Sequence, residues 1–75
     1  MKELVVYIAK NLVDKPDAVE VQEEVRGRQL HLRLDVDPND TGRVIGRGGR
    51  VVNAMRSLLR VAAIKQGKRV QLEIR

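Results

Sequence analysis

Residues 42–52, GRVIGRGGRVV, combine glycine and arginine at a density that suits phosphate binding. They hold four of the six glycines and three of the ten arginines in the chain. A glycine backbone approaches a ligand closely, and the amides that open a helix attract phosphate through hydrogen bonding and the helix dipole. Arginine side chains around such a turn favour the same anion. The stretch therefore predicts a site for a phosphate-containing ligand.

A short helix is predicted directly before this glycine turn. Residues 37–40, DPND, are typical of a helix start, in which Asp37 caps the helix and Asp40 interacts favourably with the dipole of the first turn. The helix is expected to run to about Ile45. Gly42 lies inside it, where small size for packing is the simplest explanation.

A longer helix is predicted after the turn, from about Gly49 to Gln66, with Gly67 as its end. Its apolar face is expected to hold Val51, Val52, Met55, Leu58, Leu59 and Ala62. The opposite face carries a polar and largely basic ridge of Arg50, Asn53, Arg56, Ser57 and Arg60.

The remaining segments alternate between one helical and three strand patterns. Apolar residues at helical spacing predict a helix over residues 3–13, and Pro16 follows its end. Alternation predicts strands around Val19–Val25, Leu30–Val36 and Val70–Ile74, with a hairpin turn at residues 26–28. In the first of these, Glu23 interrupts the apolar series. The order α-β-β-α-α-β predicts an α+β fold, a two-layer sandwich in which three helices back a three-stranded mixed sheet.

The composition favours a polyanionic partner. Residues 1–42 hold six Lys/Arg and nine Asp/Glu, a net charge of −3, whereas residues 43–75 hold nine Lys/Arg and one acid, a net charge of +8. This asymmetry points to nucleic acid. Tyr7 is the only aromatic residue, which disfavours domains that stack bases on aromatic platforms. No apolar run is long enough for a membrane span, so we expect a soluble, intracellular protein of one domain.

Catalysis and cofactor binding are disfavoured. The chain has one histidine, His31, expected on the polar side of a strand, no cysteine and one serine, Ser57. The three carboxylates of residues 35–40 are better explained by a helix cap than by a metal site. The glycines fit neither a Walker A loop nor a dinucleotide-binding fingerprint, because the preceding element is predicted to be a helix. We therefore expect a binding protein with no metal or cofactor.

The glycine turn and its surroundings resemble a known RNA-binding domain. VIGRGGRVV is similar to the signature of the KH domain, with Gly46-Arg47-Gly48-Gly49 as its GxxG loop. The element order resembles the type II arrangement of that fold, and the likeness extends over residues 1–75 as a single KH domain. Together with ELVVYIAKNLVDKPDAVEV near the N terminus, it resembles the KhpA family of small bacterial proteins.

The resemblance implies that the protein binds single-stranded RNA in the cytoplasm, as an RNA chaperone or post-transcriptional regulator. It also implies a homodimer or a heterodimer with a KhpB-type KH protein, and links to cell-envelope homeostasis and cell shape.

It further assigns roles to residues. The loop amides and Arg47 hold the phosphodiester backbone, and further phosphate or base contacts are expected from Arg43, Arg50 and Asn53. Three aliphatic residues are open to two interpretations, core packing beneath the loop or a surface on which bases rest: Val44, Ile45 and Val52. Core packing is favoured for at least two of these. A contact role for Arg56 and Arg60 is left open.

Two other functions are compatible with the residues. Residues 49–66 and the preceding short helix could form a DNA-binding helix-turn-helix, although its first helix would be very short and the strands would have no purpose. Alternatively, the basic face could dock an acidic protein.

Overall fold

The computed structural model covers residues 1–75 and places three helices on one face of a three-stranded sheet. The helices are α1 (Lys2–Leu12), α2 (Thr41–Ile45) and α3 (Arg50–Lys65), and the strands are β1 (Glu20–Arg26), β2 (Gln29–Asp35) and β3 (Arg69–Ile74). Single 3₁₀ turns occupy Pro16–Ala18, Pro38–Asp40 and Arg47–Gly49. The predicted α+β fold and its element order are confirmed. No helix combines the length and apolar character that a membrane span requires.

The sheet has the order β1-β2-β3, with β1 antiparallel to β2 and β3 parallel to β2. The predicted hairpin therefore forms, and Gly27 makes its turn with a φ of 58°. Leu32 lies at the centre, between Glu23 and Leu72 on the two neighbouring strands. Both β1 and β3 are edge strands, so each leaves one row of backbone polar groups unpaired within the sheet.

The core lies between the sheet and the helices. Alternate residues of β2, Leu30, Leu32 and Leu34, are at most 4% exposed and form its centre. Twelve buried residues make one cluster, and the helices contribute Val5, Ala9, Val44, Val52, Met55 and Leu59 to it. The second half of β1 is not covered in this way, since Glu23 and Val25 are exposed although Val21 on the same face is buried.

The buried face of α3 differs in one respect from the predicted one. Val52, Met55 and Leu59 are buried as expected, and the fourth buried residue is Ala63. Leu58 was predicted on this face but is 54% exposed. The helix is rotated so that Leu58 joins Val61 and Ile64 on the solvent side, and this rotation leaves an apolar surface uncovered.

Asp40 connects the segment after α1 to the start of α2. Its carboxylate is buried and accepts hydrogen bonds from the backbone N–H of Asp14 (3.2 Å) and of Lys15 (3.1 Å). The prediction for Asp40, a favourable interaction with the dipole of the first turn, was therefore incomplete, because its carboxylate also bonds these two distant N–H groups. The helix-cap role predicted for Asp37 is confirmed, because its carboxylate accepts from the N–H of Asn39 at 2.9 Å.

Replacing Asp40 by alanine should destabilise the fold more than the same change at Asp37. Asp40→Ala leaves two partly buried N–H groups without acceptors, which we expect to lower the free energy of unfolding by about 2–3 kcal/mol. Asp37→Ala removes one exposed cap and should cost about 1 kcal/mol. Urea unfolding followed by circular dichroism measures both, and an equal or smaller effect at Asp40 would contradict this account of the connection.

Candidate nucleic-acid interface

The glycine loop between α2 and α3 has a backbone conformation that side chains disfavour. Gly46 ends α2 with φ 76° and ψ 171°, Gly48 has φ 63°, and Gly49 precedes α3 with φ 80°. Residues with a Cβ rarely adopt positive φ, and the combination seen at Gly46 is almost restricted to glycine. The glycines are therefore needed to reverse the chain within four residues, quite apart from any ligand.

Gly46 also packs directly against the first turn of α3. A Cβ placed there would lie 2.5 Å from Val51 Cγ2 and 2.9 Å from the backbone nitrogen of Val51. Gly48 differs, because a Cβ there would meet no atom within 4 Å. Gly46 thus sets how closely α2 and α3 approach, whereas Gly48 projects into open space.

Two neighbouring backbone amides of the loop lie between the hydrogen bond that closes α2 and the hydrogen bond that closes the following turn. The N–H of Gly46 donates to the carbonyl of Gly42 (2.9 Å) and closes α2, while the N–H of Gly49 donates to the carbonyl of Gly46 (3.2 Å) and closes the next turn. The N–H groups of Arg47 and Gly48 lie between these bonds. No side chain caps the N terminus of α3, so the positive end of its dipole faces the same region.

The arginines around the loop fall into two groups. Arg47 and Arg50 are exposed and have no carboxylate within ion-pair distance. Arg43 instead pairs with Asp14 at 2.9 Å and with Asp40 at 3.5 Å. The charge of Arg43 is thus largely neutralised within the protein, whereas Arg47 and Arg50 present uncompensated charge to solvent.

The aliphatic residues near the loop are mostly part of the core. Val44 is 0% exposed and Val52 is 5% exposed, so core packing, the interpretation favoured for two of the three, is confirmed for these two. The alternative role predicted for Val44, as a surface on which bases rest, was therefore wrong, because the residue has no exposed surface that a base could touch. Ile45 is half-buried against the core and is the only one of the three with substantial exposed surface.

The polar ridge of α3 faces a groove between this helix and the edge strand β3. The guanidinium of Arg56 donates to the carbonyl of Leu72 at 3.2 Å and joins the two elements. It also contacts the side-chain oxygen of Asn53 at 3.5 Å. Arg60 lies further along the same groove, and Ser57 is exposed on the ridge.

The edge of β3 was not anticipated as part of this surface. The N–H of Arg69 donates to the carbonyl of Arg28, and the N–H of Arg75 donates to the carbonyl of Leu34, each at 2.8 Å. The backbone polar groups of every second residue, counted from Arg69, therefore point toward β2. The backbone groups of Val70, Leu72 and Ile74 therefore face the free edge, next to α3. Alternation along the sequence reveals a strand, but not whether it lies at an edge.

Three further predictions concern Gly42, His31 and the helix-turn-helix alternative. Gly42 is exposed, and a Cβ there would meet no atom within 4 Å, so the packing explanation for it was wrong and nothing in the structure explains this glycine. His31 lies on the polar face of β2, as expected, and pairs across strands with Glu24 and Gln71. The helix-turn-helix alternative is disfavoured, because α2 has five residues and the buried face of α3 packs on the sheet.

A mixed sheet with three helices on one face, and a GxxG loop between the second and third helices, defines a type II KH domain. A family model described as KhpA/KhpB, KH domain matches residues 2–74, and the chain belongs to this family. The family is not one of enzymes, in agreement with the prediction of a binding protein.

Relatives of similar length cover nearly the whole chain. The chain is 50% identical over 74 residues to a protein of Clostridium perfringens, covering 99% of both chains. It is 51% identical to a protein of Halalkalibacterium halodurans, covering 99% of this chain and 97% of the relative. It is 40% identical to a protein of Bacillus subtilis, covering 99% and 91%. Each relative is named RNA-binding protein KhpA.

Two glycine-to-alanine variants should separate packing from conformation in the loop. Gly46→Ala combines a backbone clash with a conformation that costs about 3 kcal/mol, so we expect a loss of stability of at least that size. Gly48→Ala adds only the left-handed strain of about 1–2 kcal/mol. Urea unfolding of the two variants checks this order, and equal stabilities would show that the contact between Gly46 and Val51 is unimportant.

Proposed function

We propose that residues 1–75 form a single KH domain that binds single-stranded RNA, with the phosphodiester backbone held at Gly46–Gly49. The observation that carries this proposal is the pair of amides of Arg47 and Gly48, which lie between the hydrogen bonds of the two flanking turns. They sit beside an uncapped helix N terminus and next to unpaired arginines. Phosphate oxygens suit this combination of amide donors, dipole and charge.

Each side chain near the loop has a separate part in this proposal. Arg47 and Arg50 bind phosphate directly, because no carboxylate competes for them. Asn53 stands one turn further along α3 and offers an amide to the next phosphate or to a base edge. Arg43 contributes chiefly by holding Asp14 and Asp40 in place, and a phosphate contact from it would have to compete with those carboxylates.

The bases would lie in the groove between α3 and β3. The outward-facing N–H groups of Val70 and Leu72 and the carbonyl of Val70 offer donors and an acceptor to base edges there, since the carbonyl of Leu72 already accepts from Arg56. Arg56 holds the width of the groove through its bond to Leu72, and Arg60 adds charge. Ile45 is the aliphatic residue left to contact a base, since Val44 and Val52 support the loop from beneath. With a single aromatic residue in the chain, base binding would depend on apolar contact and edge hydrogen bonds.

The names of the relatives favour RNA over DNA as the ligand. We extend the proposal to what the family resemblance implies, namely a cytoplasmic RNA chaperone or post-transcriptional regulator with a role in cell-envelope homeostasis and cell shape. The contacts of one small domain are few, so its affinity for RNA should be weak unless a second RNA-binding chain adds effective concentration.

A double substitution in the loop should weaken RNA binding strongly and leave the fold intact. Arg47→Asp with Gly48→Asp puts two carboxylates where phosphate is proposed to bind, and Gly48 has open space for a side chain. Loss of charge-assisted bonds worth about 1.5–3 kcal/mol should weaken binding about ten- to hundredfold. Fluorescence anisotropy with a labelled five-nucleotide RNA measures the change, and circular dichroism checks the fold.

A control with the same charge change separates site from net charge. Lys2→Asp with Gln22→Glu also lowers the charge by three units, but on α1 and on the open face of β1, where a carboxylate suits the helix N terminus and faces Arg33. Equal losses for both variants would contradict a site at the loop.

The RNA affinity of the wild type should also fall with salt, because bound phosphates release counterions. For three to five phosphates, the slope of log K against log salt concentration should be about −2 to −3.5, and duplex DNA should compete poorly for the site.

We also propose that the exposed apolar surface of α3, formed by Leu58, Val61 and Ile64, is the contact between two copies of the chain. These side chains are 54–68% exposed. A stripe centred on Val61 can pack against itself across a two-fold axis, the commonest symmetry of dimers. The glycine loop and the Arg56 end of the groove lie away from this stripe, whereas Ile64 also lines the far end of the groove, so this dimer would leave the loop site open.

A charge-neutral double substitution should test this contact. Val61→Lys with Ile64→Glu places charges on the stripe without changing net charge, so a dimer of the wild type should become a monomer in sedimentation velocity while binding of short RNA persists. A wild type that is monomeric at all concentrations, and dimerises only with a KhpB-type protein, would overturn the self-association proposal. A dimer unaffected by the substitutions would exclude the stripe.

A further inference from the structure

A second group of uncompensated positive charges lies at the far end of α3 from the glycine loop. Arg28 in the hairpin turn and Lys68 and Arg69 at the start of β3 form this group, here called the turn cluster. The N–H of Arg69 donates to the carbonyl of Arg28 at 2.8 Å, which fixes the two segments side by side although they are far apart in the sequence. Within the fold, this end is separate from the loop.

The distribution of ion pairs distinguishes the turn cluster from ordinary surface charge. Five basic side chains form ion pairs with carboxylates: Lys15, Arg26, Arg33, Arg43 and Arg75. Apart from Lys2 and Lys10 on α1, every lysine or arginine side chain without such a partner lies on the loop, on α3 or in the turn cluster. Free positive charge therefore follows one line across the molecule.

A groove follows α3 from Arg56 to the turn cluster. Two adjoining cavities lie between α3 and β3 and share Arg60, Val70 and Gln71. One of them reaches Arg56, and the other reaches Lys68 and Arg69 together with Gln29 of β2. A chain that enters at the loop and follows the groove must pass Arg60 and then meet the turn cluster.

The turn cluster lies beyond the C-terminal end of α3, at the opposite end of this path from the loop. At about 1.5 Å per residue, α3 spans about 24 Å from Arg50 to Lys65. A GxxG loop clamps about four nucleotides, and positive charge past the end of α3 is placed to meet the nucleotides that follow them. We propose that the turn cluster is a second phosphate-binding site, which binds the same RNA strand outside the segment held at the loop. This inference rests on the proposed RNA binding at the loop.

The test compares RNA length in two variants that lose the same charge. Lys68→Gln with Arg69→Gln removes two positive charges from the turn cluster, and Lys2→Gln with Lys10→Gln removes two from α1. Anisotropy titrations use labelled oligouridylates of 5, 8, 12 and 16 nucleotides, a chosen series covering about one to four loop footprints. We expect the turn-cluster variant to bind the 16-mer about three- to tenfold more weakly than the α1 variant, with a salt slope reduced by about 1.4.

The five-nucleotide RNA should bind both variants within about twofold of each other, because it occupies the loop. Equal affinities of the two variants for the 16-mer would overturn the second site, and so would a loss that is the same at every length. Failure of the loop proposal has a different signature, since Arg47→Asp with Gly48→Asp would then leave the five-nucleotide affinity unchanged. The two proposals therefore fail in separate measurements.

Discussion

The approach of Gly46 to the first turn of α3 is the contact on which the interface depends. A backbone without Cβ lets α2 end against Val51, and three positive φ angles in four residues turn the chain into α3. Because Val44 and Val52 anchor the flanking helices in the core, the loop is carried on packed elements rather than on a mobile segment. The amides of the turn are thereby held ready before any ligand arrives.

Charge is organised around that loop from both sides. Asp40 connects the segment after α1 to α2 through its hydrogen bonds to Asp14 and Lys15. The buried carboxylate of Asp40 also pairs with Arg43 and so neutralises positive charge close to the loop. Beyond the loop, the unpaired arginines follow α3, whereas the acidic residues of β1 lie at the opposite edge of the sheet from β3. A polyanion is therefore attracted to one side of the sandwich and repelled from the other.

Local patterns in the sequence predicted the elements well, because period and capping are local properties. Alternation in β2 and the cap at Asp37 are examples. Features that depend on distant neighbours were missed. Asp40 bonds backbone groups 25 and 26 residues away, which no local signal reveals. Ala63 is buried and Leu58 is exposed because of how α3 is rotated on the sheet. The edge position of β3 depends on the order of the strands. The loop was found because glycine spacing reports backbone conformation directly.

Backbone amide chemical shifts, measured by ¹⁵N–¹H correlation spectroscopy during titration with a five-nucleotide RNA, test the central claim most directly. Arg47, Gly48 and the β3 residues Val70 and Leu72 should show the largest shifts, because their N–H groups are the proposed donors. Residues on the open face of the sheet, such as Gln22, should stay unchanged. Large shifts confined to that open face, with the loop amides unaffected, would contradict the assignment of the glycine loop as the RNA site.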